Sequence, residues 1–183
     1  WGGTNGNEEA NVPDDLSDVV SISAGAGYYT LALKSDGTVV AFGRSTLAVV
    51  TDIPADLSDV IAISAGNKHS LALKSDGTVV AWGENDYNQT DVPADLSNVI
   101  SISAGQSFSL ALKSDGTVVG WGRNNYYQTD APEGLTGVVQ IQALAEHSMA
   151  LRSDGTVVAW GRNYYNNCTP GIDCSTDVPG GLS

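Results

Sequence analysis

Cations are scarce in this chain. Eight Lys+Arg stand against 21 Asp+Glu in 183 residues, a formal net charge of −13. Phosphate backbones and anionic bilayer surfaces are held by clustered cations, so no nucleic-acid partner is expected. Long apolar runs are missing too. None approaches the roughly 18–20 residues that cross a bilayer as a helix, and no membrane insertion is expected. Cysteine is limited to Cys168 and Cys174, and no further Cys or His lies nearby to complete a zinc site. Pro170 and Gly171 fall between them, so a small disulfide loop is the expectation, which points to an oxidising, extracytoplasmic setting. There is no glycine-rich phosphate loop before a helix and no dense Asp-x-Asp-x-Asp-Gly calcium loop, so neither metal nor cofactor is expected. An initiator Met is absent as well. The chain opens on Trp1-Gly2, midway through a recurring phrase, so we expect a removed signal peptide or a longer parent protein.

What the chain has in abundance is repetition. SLALKSDGTVVAWG at 70–83 returns as SLALKSDGTVVGWG at 109–122, as TLALKSDGTVVAFG at 30–43 and as SMALRSDGTVVAWG at 148–161. A second phrase, VVSISAG, VIAISAG, VISISAG and VVQIQAL, begins at Val19, Val60, Val99 and Val138, giving spacings of 41, 39 and 39. Periods near 40 residues are the mark of propellers and solenoids. The pattern divides the chain into a back half-unit at 1–18 and units at 19–59, 60–98, 99–137 and 138–183, all in one domain.

Within a unit every signal is β. Ile61 and Ile63 alternate with small residues and should share one buried face. Leu71 and Leu73 flank Ala72, a pattern suited to a strand packed on both sides. Asp-Gly between apolar runs marks a tight hairpin in which both residues tolerate positive φ. A short last strand is expected near Thr90-Asp91-Val92, ended by Pro93. The expected fold is all-β: a β-propeller of four-stranded antiparallel blades, four complete and a fifth partial, in an incomplete ring. Sheets this small bury their Ile, Leu, Val and Trp only when flanked by others.

The stretch AGNKHSLALKSDGTVVAWGENDYNQT at 65–90 resembles the repeats of the regulator of chromosome condensation. Its short period and VPADLS linker are similar to bacterial members such as the propeller-type β-lactamase inhibitor protein. The resemblance implies a propeller fold and says little of function, since one fold hosts unrelated activities. Departures are local: Gln142-Ala143-Leu144 replaces Ser-Ala-Gly in the fourth unit, and Ser45–Val49 replaces the Asn-x-Tyr-x-Gln loop of the first. No basic tail or wedge-like insertion supports nucleotide exchange or chromatin binding.

Recurring residues read as building material. His69-Ser70 and His147-Ser148 are neighbours on a strand, so their side chains diverge and form no nucleophile–base pair. Asp36, Asp76, Asp115 and Asp154 sit at like hairpin tips, unlike the two differing carboxyls of a glycosidase. No catalytic residue is assigned and no enzyme is expected. What varies is the segment after each Trp-Gly, which carries Tyr87, Asn125, Tyr126, Tyr127, Asn163, Tyr164 and Tyr165 on one rim. Tyr offers rigid amphipathic contact and Asn adaptable hydrogen bonding, a pairing suited to protein or glycan recognition. Asn88 and Asn167 head glycosylation triplets. The expected role is an extracellular or cell-surface binding propeller whose partner is a protein or copies of itself. The alternatives are a self-assembling surface subunit and an inhibitor of a secreted hydrolase.

Overall fold

A computed structural model describes residues 11–26, 28–43 and 52–162. These form four antiparallel sheets of three strands, each sheet one sequence unit. The first holds β1 (Val19–Gly25), β2 (Tyr29–Lys34) and β3 (Val39–Gly43), and the second β4 (Val60–Ala65), β5 (His69–Lys74) and β6 (Val79–Gly83). The third holds β7 (Val99–Ala104), β8 (Phe108–Lys113) and β9 (Val118–Gly122), and the fourth β10 (Val138–Leu144), β11 (His147–Arg152) and β12 (Val157–Gly161). In each the strands pair in chain order, with the first of the three innermost.

The hairpin joining β5 to β6 is wider than a two-residue turn. Lys74 N–H bonds Thr78 O and Gly77 N–H bonds Lys74 O, so Ser75-Asp76-Gly77 is a three-residue loop. Only the glycine takes positive φ, at 80°. Asp76 keeps negative φ because its Oδ1 already accepts from the Thr78 N–H at 2.9 Å and the Thr78 hydroxyl at 2.6 Å.

Two further expectations need correction. Ile61 does not share a buried face with Ile63. A bulge between Val60 and Ala62 shifts the register, so Val60 points into the core and Ile61 into solvent. The fourth strand near Thr90-Asp91-Val92 is not formed. Its donors are used locally: Thr90 N–H bonds Asn85 Oδ1, Asp91 N–H bonds Asn88 O, and Val92 N–H bonds Thr90 O. A segment folded on itself has no N–H groups left for a ladder.

The core lies between sheets. Leu71 and Leu73 of β5 pack with Val99, Ala111 and Trp121 of the third sheet, while Ala72 packs with Leu31 and Leu33 of the first. A third cluster joins Phe108, Leu110 and Leu112 to Val138, Ala150 and Trp160. Each fully buried Leu contributes roughly 1.5–3 kcal/mol, which is available only with a neighbour in place. The described residues form an open arc. At its leading face Val19 and Ile22 are 37% and 72% exposed, where Val60, Val99 and Ile141 are each 4% exposed.

Polar contacts lock each joint. Ser23, Ser64 and Ser103 Oγ accept the N–H of Ala65, Ala104 and Ala143 on the next sheet at 2.9, 2.9 and 2.8 Å. Nearby, Asn67 N–H bonds Gly105 O, and Ala26 N–H bonds Gly66 O. Glycine is required here. A Cβ at Gly66 would lie 2.6 Å from the His69 ring and 2.7 Å from Gly105 O. The fourth sheet breaks this pattern, with exposed Gln142 and Leu144 at the serine and glycine places and His147 only half-buried. Gly66→Ala should therefore cost roughly 2–3 kcal/mol, as an overpacked joint does. Denaturant titration reads this as a lowered midpoint; an unchanged midpoint would mean that the sheets do not approach so closely.

Candidate functional site

The connections β1–β2, β4–β5, β7–β8 and β10–β11 share one rim with the segments leaving β6, β9 and β12, because the strands are antiparallel. Glu84 N–H bonds Lys68 O, Arg123 N–H bonds Ser107 O, and Arg162 N–H bonds Glu146 O, tying each pair of segments together. The opposite rim carries the hairpin tips and the Pro-Ala-Asp-Leu-Ser turns. Asp14, Asp15, Asp18, Asp56, Asp59 and Asp95 are all exposed there. Its Lys34, Lys113 and Arg152 are engaged by Asp36, Asp115 and Asp154 at 3.9, 3.4 and 3.7 Å. Among the described residues the larger excess of acid over base thus lies on the hairpin-tip rim.

Asn-x-Tyr-x-Gln builds the loops of the first rim. Asn85 Nδ2 donates to Asp91 Oδ1 and Asn124 Nδ2 to Asp130 Oδ1, cinching the two ends. Gln89 and Gln128 are sealed inside, their Oε1 accepting the N–H of Tyr87 and Tyr126. Their main-chain carbonyls serve the next sheet: Gln89 O accepts from Ser109 Oγ and Trp121 Nε1, and Gln128 O from Ser148 Oγ and Trp160 Nε1.

These loops present the tyrosines unequally. Tyr87 lies under the Arg123 guanidinium, 5.1 Å from ring centroid to Cζ, and half-buried Tyr126 lies under Arg162 at 4.8 Å. Both arginines pair with Glu146. Tyr87 and Tyr127 remain 45% and 39% exposed, and Tyr28, unremarked in the sequence, is 48% exposed on the same rim. Asn88 and Asn125 are exposed beside them. Asn163, Tyr164, Tyr165, Asn167, Cys168 and Cys174 lie outside the described residues. The Arg–Glu–Arg bridge was not anticipated either; its one sequence signal is Arg123 and Arg162 standing where Glu84 stands in the second unit.

Sequence neighbours His69 and Ser70 do diverge, yet the fold pairs His69 with a different serine. Its Nε2 lies 3.0 Å from Ser109 Oγ on the next sheet. Both side chains are fully buried, and Ser109 gives its proton to Gln89 O. The histidine must then carry its proton on Nε2 and donate, the reverse of a general base. Tyr29 occupies the same place one unit earlier, reaching Ser70 Oγ at 3.1 Å and donating to His69 O. The pair is a fastener between sheets. Among the described residues no group of three or more His, Cys, Asp or Glu is placed to hold a metal.

Burial pushes the His69 imidazole down from 6.5 to about 4, against a small opposing contribution from the Phe108 carbonyl. The unfolded chain therefore binds a proton that the folded chain refuses. Stability should fall as pH drops from about 6.5 to about 4, by at most roughly 3 kcal/mol. The hairpin aspartates, lowered by their Thr hydrogen bonds, lose their contribution only below 3.8. His69→Phe, which copies Phe108, should flatten the 4–6.5 region of a thermal-melt series; an unaltered slope there would refute this assignment.

A family model described as the regulator of chromosome condensation (RCC1) repeat matches residues 19–47, 60–89, 99–128 and 138–167. Solved structures agree in fold. The ectodomain of the Physcomitrella patens receptor kinase CR4 superposes with a TM-score of 0.69 at 19% identity, over 86% of this chain and 45% of that one. Prp20p from Saccharomyces cerevisiae gives 0.67 at 23%, over 82% and 46%. The Arabidopsis thaliana ACR4 ectodomain gives 0.61 at 23%, over 78% and 49%. The chain thus spans about half the length of the structures it matches. No curated protein sequence matches it.

Proposed function

Because the chain belongs to the family of regulator of chromosome condensation repeats, we propose that it is a scaffold that binds a protein partner through the loop rim carrying Tyr28, Tyr87 and Tyr127. One observation carries the reading: the recurring residues are consumed in the joints, while this rim leaves half-exposed tyrosines beside the free amides of Asn88 and Asn125. Aromatic rings with few rotatable bonds, next to adaptable amides, form a low-entropy contact surface. Prp20p, a protein of the same fold, is described with its binding to Gsp1p and histones, and as a complex with Kap60. Placement of this chain outside the cytoplasm rests on Cys168 and Cys174. Inhibition of a secreted hydrolase would be one form of the same binding.

A photo-cross-linking amino acid at position 87 or 125 should give one discrete protein adduct in the native setting, and none at position 76 on the hairpin rim. Adducts at 76 alone would overturn the assignment. A second reading, association with a further copy, is favoured by the exposed Val19 and Ile22 at the leading face. Mass that rises with concentration in sedimentation supports it; one constant mass removes it.

A further inference from the structure

Tyr87 and Tyr126 are held by the molecule itself, each under the arginine of the following unit. Tyr127 is different. It occupies the left-handed backbone region at φ 61°, and its counterpart in the preceding unit is Asn88, at φ 62°. The two loops are otherwise alike: Asn88 N–H bonds Asn85 O as Tyr127 N–H bonds Asn124 O, and Asp91 N–H bonds Asn88 O as Asp130 N–H bonds Tyr127 O. Asparagine tolerates this region because its short side chain hydrogen-bonds locally, whereas a bulky residue there is strained.

No polar contact of the Tyr127 side chain among the described residues offsets that strain. Among the described residues Tyr127 makes no side-chain hydrogen bond, ion pair or cation–ring contact, and it is 39% exposed. Strained backbone carrying an exposed aromatic is a pattern of contact sites, where the residue is kept for what it touches outside. The surroundings specify the chemistry of that contact. Arg123 and Arg162 are both paired with Glu146, Asn124 is bonded to Asp130, and Asn125 is free and uncharged. The exposed carboxylates of Asp86 and Asp130 remain charged; beside them the groups left to a partner are a phenol and amides.

We propose that Tyr127 is the anchor of the loop rim, inserting into an apolar pocket on a protein partner. This rests on the reading of the rim as a protein-binding surface. It separates this contact from the acidic hairpin rim, where a partner would be basic and its binding salt-sensitive.

The test uses the full chain with a photo-cross-linker at position 125, alone and with Tyr127→Asn. The expected result is a melting temperature no lower than that of the parent, with adduct yield reduced roughly tenfold or more. Yield from the parent should change little between low salt and about 0.5 M NaCl. A clear fall in melting temperature would overturn the proposal by making Tyr127 a packing residue. So would an undiminished adduct, or one abolished by salt. Absence of any adduct from the parent chain would instead sink the rim reading and the anchor with it. An adduct that survives Tyr127→Asn sinks the anchor alone.

Discussion

A serine hydroxyl that accepts a peptide N–H from the neighbouring sheet, beside a glycine that lets the two backbones touch, is the contact on which this structure depends. Three-stranded sheets of five- to seven-residue strands are marginal in water. The first three here bury their leucines against the next sheet's valine, alanine and tryptophan. The hydrophobic effect is non-directional and would tolerate many relative placements. The Ser23–Ala65, Ser64–Ala104 and Ser103–Ala143 bonds fix one of them. With that spacing set, the Gln89 and Gln128 carbonyls fall within reach of the next unit's serine and tryptophan.

The joint also explains why chemistry-bearing residues recur without doing chemistry. His69 and Ser109 meet at hydrogen-bonding distance, yet the hydroxyl proton is committed and the site is sealed. The Asp-Gly tips close hairpins with their carboxylates held by threonine. Apart from Tyr29, His69 and Phe108, which vary within the joint itself, the residues that differ between these units are mostly ones the joint does not use. They lie on the rim where loops leave the sheets, with the larger excess of acid on the other side. Recognition and self-assembly of the fold are therefore carried by different residues of the same forty-residue phrase.

The repetition, the β content and the two-sided packing of Leu71-Ala72-Leu73 were legible because they follow local periodicity. Pairings between units were not. Tyr29 with Ser70 and His69 with Ser109 join residues 41 and 40 apart, and no pattern inside one unit distinguishes them from the adjacent Ser. Thr90-Asp91-Val92 reads as a strand by composition, but Asn85 captures its N–H groups, a side-chain competition that alternation cannot report. Ile61 was misplaced because a bulge leaves no mark on the alternation rule. Tyr87, Asn125 and Tyr127 emerge on the rim expected of them, whereas the stacking of Tyr87 and Tyr126 under arginines depends on a neighbouring unit.

Gln142 and Leu144 give the array a direction. The first three sheets share one symmetry at the joint, each carrying the same serine on its inner strand and the same glycine at that strand's end. At Leu144 that symmetry ends. A side chain stands where Gly25 and Gly66 leave room for a neighbouring carbonyl. Whatever body lies against the far side of the fourth sheet meets it at a different distance and with different partners.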